Sequence, residues 1–241
     1  NLSLIELGSS IELIGDKCFY NCSNLSLNTI PNSVTYIGNG CFYDCDKLNL
    51  NTIPNSVTYI GNECFDDCDN LNSITIPTSV TNINNGCFLS CINLSSITIP
   101  DSIENIGDHC FQGCYNLNSI TIPDSVTNIG TYCFYGCDNL SSIELGSSIE
   151  RIDGDCFSNC TNLSSIIIPD SVVDIGNGCF TNCSNLTSIV ILNSDLYNKV
   201  SNNYTDYGIN DESHVKNSLN EFNYIILTQD NVNDYVNIES G

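Results

Sequence analysis

The chain has no methionine and no tryptophan, and only 5 lysines and arginines stand against 28 aspartates and glutamates. The net charge of −23 repels nucleic-acid phosphates and anionic lipid headgroups, which excludes both as partners. Cationic proteins, divalent cations and neutral glycans remain admissible. No apolar run reaches the ~18 residues that a membrane span needs, so no membrane insertion is expected. There are 2 histidines, His109 and His214, with no repeated carboxylate or hydroxyl geometry around them. A catalytic constellation is unique in a chain, whereas nearly everything here recurs, so the chain reads as non-catalytic and without a cofactor. The missing methionine, and a first residue Asn1 that falls in mid-pattern, read as a processed chain or a fragment.

What is present is a repeat. Units of 23 residues begin at Asn1, Asn24, Lys47, Asn70, Asn93, Asn116, Asn139 and Asn162 with no insertion. A further unit begins at Asn185 and keeps the pattern to Ile191. Residues 116–138, NLNSITIPDSVTNIGTYCFYGCD, are a clean copy. Ile120 and Ile122 alternate with Ser119 and Thr121, the period-two signature of a half-buried strand. Pro123 closes that strand, having no N–H to give a neighbour. Val126 and Ile129 form a second short apolar stretch. The Gly130 slot holds Gly in most units, with Asn84 and Asp153 as exceptions, which predicts a left-handed turn. The next slot, with Asp16, Asn39, Asn62 and Asp108, predicts an N-cap. A short helical turn then carries Cys133, Phe134 and Cys137 inward, and the Asn opening the next unit is its expected C-cap. Eight side chains per unit thus point inward: Leu117, Ile120, Ile122, Val126, Ile129, Cys133, Phe134 and Cys137. No unit closes a core alone, so stability must come from stacking.

The pattern L-x-x-I-x-I-P-x-x-V-x-x-I-G-x-x-x-F-x-x-C resembles the BspA-like, or Treponema-type, leucine-rich repeats over about residues 1–191. The resemblance implies an α/β repeat solenoid: a right-handed coil with a parallel β-sheet on one face, and short strands and short helical turns on the others. It also implies a surface protein of bacteria or anaerobic protists engaged in adhesion. The family usually places Ala where this chain has the first Cys of each pair.

All 16 cysteines fall in C-x3-C pairs, so their even number is no evidence for disulfides. Within a pair the Cβ vectors are nearly parallel, a poor bridging geometry. Equivalent cysteines of successive units lie roughly 5 Å apart, inside the window for a bridge. Buried thiols and inter-repeat disulfides both fit. A metal site fits less well, because Phe sits inside each pair and no His accompanies it.

Aligned on Asn-Leu, the outward column of the first strand is a Ser/Thr carpet from Ser73 to Thr121, with Thr29 and Thr52 in the earlier units. Leu4, Leu27 and Leu50 fall outward there, an exposed apolar stripe that either marks an interface or was covered by upstream repeats. Asn28 and Asn51 then take the inward Ile slot, either as a paired ladder or at a bulge. Tyr36 and Tyr59 stack on the second row, and Tyr20 and Tyr43 on the turns; exposed aromatic pairs suit sugar rings or protein hot spots. Asp44, Asp46, Asp66, Asp67 and Asp69 gather as a solvated acidic face or a Ca²⁺ cluster, without a calcium-loop spacing.

From residue 192 to 241 the repeat dissolves into a tail with one apolar run, Tyr224 to Leu227, expected to cap the last coil. The expected function is recognition or adhesion at the cell surface or outside the cell. The partner would be a protein or glycan held along the repeat face by Leu4, Leu27, Leu50, Thr29, Thr52, Tyr36 and Tyr59. The rival is a structural rod assembled by end-to-end self-association through the coil ends.

Overall fold

The computed structural model describes residues 3 and 5–217. Leu4 and the run Tyr224 to Leu227 lie outside them. The chain winds into a solenoid with one coil per 23-residue unit and two rows of short parallel strands. The first row holds Ser73–Thr75, Ser96–Thr98, Ser119–Thr121, Ser142–Glu144, Ser165–Ile168 and Ser188–Ile191. The second holds Leu13–Ile14, Tyr36–Ile37 and Tyr59–Ile60, then Asn82–Ile83, Asn105–Ile106, Asn128–Ile129, Arg151–Ile152 and Asp174–Ile175. Each residue pairs with its equivalent in the next coil, as Ser73 with Ser96 and Asn82 with Asn105.

The inward set is as the alternation requires. Leu117, Ile120, Ile122, Val126, Ile129, Cys133, Phe134 and Cys137 are all buried. Each Leu, Ile, Val or Phe contributes roughly 1.5–3 kcal/mol by leaving water. The phenylalanines form a continuous column from Phe19 to Phe180, with ring centroids 5.4 to 5.9 Å apart. All sixteen cysteines are free thiols, and all but Cys18 and Cys22 are buried. The second Cys of each pair from Cys45 onward is more than a small hydrophobe. Its Sγ–H donates to the Phe carbonyl of the coil before, as Cys137 does to Phe111 at 3.2 Å and Cys160 to Phe134 at 3.1 Å.

The cysteine-bearing segment is not a helical turn. Two residues per coil have positive φ, for example His109 (57°) with Gly113 (72°), and Tyr132 (56°) with Gly136 (69°). This alternation points every second N–H at the next coil: His109 donates to Thr131 O at 2.9 Å, Phe111 to Cys133 O at 2.8 Å, and Gly113 to Tyr135 O at 2.8 Å. A helix would turn those N–H groups along its own axis, leaving the coils unlinked on this side. The left-handed penalty of roughly 1–2 kcal/mol per non-glycine residue is offset by a third ladder of inter-coil bonds.

The glycine and asparagine slots also have a different cause from the expected one. Gly130 does not have positive φ. It is glycine because the preceding coil runs against it: a Cβ there would lie 2.6 Å from Asp108 N and from Gly107 C. The polar slot beside it makes no N-cap. Asp16 Oδ1 accepts from the backbone N–H of Asn39 at 2.8 Å, Asn39 Oδ1 from Asn62, Asn62 Oδ1 from Asn85, and Asp108 Oδ1 from Thr131. The unit-opening asparagines likewise form no C-cap but an amide ladder, Asn116 to Asn93 and Asn139 to Asn116. A repeat with a neighbour at fixed distance satisfies its polar groups across the coil boundary.

After Ile191 the coil gives way to a helix, Ser194–Asn202, opened by Asn193, whose side chain accepts from the N–H groups of Asp195 and Leu196. Its Leu196 and Val200 are buried. Strand Val215–Asn217 pairs with Ile189 to Ile191, and Asp206 and Tyr207 carbonyls accept from Gly178 and Phe180 N–H. Residues 194–217 thus supply the last coil with the partners that a further coil would have given.

Candidate functional site

The outward columns of this frame are the candidate contact surfaces, and coils two and three depart from expectation. Leu27 and Leu50 are buried, not exposed, and Asn28 and Asn51 face solvent. The exposed apolar stripe therefore does not exist at these positions. Where the aligned Ile is missing, the chain slips by one residue: Leu25 and Leu27 point in, Asn28 and Thr29 both point out, and Ile30 points in again. The energies decide this. Burying the Leu contributes roughly 1.5–3 kcal/mol, whereas an unpaired Asn amide in the core costs about as much or more. Two successive outward residues break the pleat, so among the described residues the first row has no regular strand there, and isolated bridging such as Thr52 to Thr75 takes its place.

Thr29 and Thr52 are exposed beside these asparagines. Tyr36 and Tyr59 stack at 4.8 Å and 7°, and Tyr20 and Tyr43 at 4.6 Å and 8°. Lys17 Nζ lies 5.3 Å from the Tyr20 ring centroid. The Tyr36 hydroxyl is held above the usual phenol range by burial, then by Asp16 and Tyr59 beside it. Coil-to-coil stacking fixes these rings, so they offer area to a partner at small entropic cost.

The acidic residues of coils two and three do not form a uniformly solvated face. Asp66 is only 5% exposed and has a carboxylate oxygen with no hydrogen-bond partner. Its slot lies between those of Tyr43 and Leu89 in the coils on either side. Burial, then the neighbouring Asp67 and Glu63, push its carboxyl up to about 7. Burial and Asp46 raise Asp44, and burial and Asp46 also raise Asp69. Among the described residues no three acidic, His or Cys side chains converge as a cation site requires. Burial also pushes the Cys45 and Cys183 thiols up to about 12, which holds them protonated and unreactive.

Two depressions lie on the first-row face. One, of ≈ 370 Å³, is floored by the Ser/Thr carpet at Ser96, Thr98, Ser119 and Thr121. The other, of ≈ 490 Å³, is apolar, with Ile143, Leu145, Ile167, Pro169 and Leu192 beside Glu144. Ile167 is 59% exposed. The signal for this second hollow was legible as Ile167 standing in a column of threonines, but Leu145 and Leu192 follow the strands and are joined to it only in three dimensions.

The sequence matches the BspA type leucine rich repeat region over residues 1–118 and 104–225. The fold is similar to a leucine-rich repeat protein from Bacteroides ovatus, at 32% identity and a TM-score of 0.71, covering 78% of this chain and 55% of that one. It is similar also to a leucine rich cell surface protein from Faecalibacterium prausnitzii, at 32% identity and a TM-score of 0.58, covering 75% and 58%. A Treponema pallidum leucine rich repeat protein aligns at 25% identity and a TM-score of 0.61, covering 87% and 89%. The chain thus spans little more than half the length of the first two. No curated protein matches it.

Proposed function

Because this chain belongs to the BspA-type leucine-rich repeat family, whose repeats form scaffolds for recognition, we propose that it is a non-catalytic recognition module displayed on or outside the cell. It binds a protein or glycan partner by repeated contact along its coils. The observation that carries this reading is the stacked and outward Tyr36–Tyr59 pair, fixed on a rigid frame. Thr29 and Thr52 supply hydroxyls on the first-row side of the same coils. With a net charge of −23, a protein with a basic rim is the occupant that electrostatics favours. Rod assembly through coil ends is the weaker reading, since residues 194–217 already occupy the last coil's hydrogen-bonding edge.

The test is titration of the immobilised chain with purified type I collagen, laminin and a mucin glycoprotein, at low and high salt. Saturable binding that weakens with salt, and weakens about tenfold in a Tyr36→Ala/Tyr59→Ala variant of unchanged melting temperature, supports the reading. Concentration-dependent self-association of the chain, with no saturable binding to any of the three, sinks it in favour of the rod.

A further inference from the structure

Beyond both strand rows, the cysteine-bearing turns carry a shallow groove of ≈ 500 Å³, a size common among small-ligand sites. Its shape follows from the columns. In the Tyr132 slot the preceding coil has His109, and the following coils have Asp155 and Gly178. In the Tyr135 slot the neighbours are Gln112 before, and Ser158 and Thr181 after. On the preceding side the slots hold larger side chains: the His109 imidazole lies 5.2 Å from the Tyr132 ring at 10°, and Gln112 precedes Tyr135; within the coil Tyr135 meets Tyr132 edge-on at 5.5 Å and 68°. On the following side the side chains shrink. The coil-to-coil stacking that covers both faces of the core phenylalanines therefore stops at Tyr132 and Tyr135, which stand as an aromatic wall.

The floor beyond that wall is polar and ordered. The Asp155 carboxylate faces the Tyr132 hydroxyl. Asn182 Nδ2 donates to Asn159 Oδ1 at 2.9 Å, and the Ser158 side chain is buried at the base. His109 Nδ1 and Gln112 Oε1 lie 2.6 Å apart, which holds the far side of the wall in place. An open ring face beside a mixed set of carboxylate, amides and hydroxyls is the surface that a sugar ring fits. A pyranose has one apolar face of C–H groups and a rim of hydroxyls that both donate and accept.

We propose that this groove is a saccharide subsite, in which a pyranose of a neutral glycan lays its C–H face on Tyr135 and directs hydroxyls to Asp155, Asn159 and Asn182. An organic cation is the poorer fit. Asp155 is the one carboxylate on the groove and is already opposed by the Tyr132 hydroxyl, while the amides and hydroxyls around it suit a polyol. An anionic sugar is disfavoured by the net charge of the molecule. The site rests on the glycan side of the proposed recognition role but shares no residue with the Tyr36–Tyr59 surface, so its failure leaves a protein partner on that surface standing.

The test is saturation-transfer-difference NMR followed by calorimetric titration with maltotriose, cellotriose, mannotriose, xylotriose and chitotriose, and with tetramethylammonium in parallel. At least one trisaccharide is expected to bind, and about tenfold more weakly in a Tyr135→Ala variant of unchanged melting temperature. Tyr135→Phe, which keeps the ring, retains binding and controls for the fold. Binding of none of the five, binding that survives Tyr135→Ala, or binding of tetramethylammonium alone overturns the proposal.

Discussion

Replacing Asp66 by Asn removes a buried carboxyl of the solenoid and should make stability less dependent on pH. The folded chain holds this carboxyl at about 7 against an ordinary 3.8, because it is buried beside Asp67 and Glu63 with one oxygen unpartnered. A group whose acid form is favoured by folding stabilises the folded state fully only below its unfolded pKa, and that stability is lost as the pH rises to the folded value. The shift of roughly three units corresponds to about 4 kcal/mol when complete, and about 2.5 kcal/mol of this falls between pH 5 and pH 8. Working at pH 5 keeps the chain above its isoelectric point of ≈ 4.1. Urea unfolding of the two proteins at both pH values, read as a difference, cancels the titration of the other carboxylates. Asp66→Asn should gain about 2–3 kcal/mol on the wild type between pH 5 and pH 8. Parallel profiles for the two proteins would refute the argument, because the carboxylate would then have a partner or water that offsets its burial.

Other consequences follow from packing. Leu50→Ala should cost about 2–4 kcal/mol in urea unfolding, since Leu50 is fully buried, and an unchanged midpoint would return it to the surface. Gly130→Ala should destabilise by about 2 kcal/mol or more because its Cβ meets backbone, whereas Gly136→Ala, at φ 69°, should cost about 1 kcal/mol; the reverse order in denaturation would undo the close-approach argument. A disulfide-exchange reagent on the native chain should titrate Cys18 and Cys22 quickly and all sixteen thiols only after denaturation. Rapid native reaction of Cys110 or Cys133 would mean that the coils open.

The coil, its period and its core were legible because they are set by hydrophobic spacing, which an alignment at fixed length displays directly. The polar slots were harder. Gly130 and Asp108 are each consistent with a local motif, a left-handed turn or an N-cap, and residue type alone favours the local reading. In the solenoid the decisive partner is the residue 23 positions away: Asp108 Oδ1 accepts from Thr131 N at 2.9 Å. Local motifs are inferred from residues that also serve as ladder rungs, so composition cannot separate the two. The left-handed residues were missed for a related reason. His109, Tyr132 and Glu63 are poor αL residues, and only the inter-coil ladder explains why they occupy that slot.

The slip in coils two and three carries the same lesson to the candidate site. Alignment on Asn-Leu placed Leu27 outward by analogy with Ser119, yet the core accepts whichever of two adjacent residues is apolar. Reading Leu27-Asn28 as an inverted Ser119-Ile120 would have found the answer from hydrophobicity alone, at the price of two outward residues in a row. That exchange replaces an apolar stripe by a polar surface of Asn28, Thr29, Asn51 and Thr52. Under the proposed recognition role, specificity falls to side chains that the stacking leaves uncovered. Those are the aromatic rings at which a column stops or faces solvent, Tyr36 and Tyr59 on the second row and Tyr132 and Tyr135 on the turns. A core column must continue through every coil, so it cannot distinguish one partner from another; an interrupted column can.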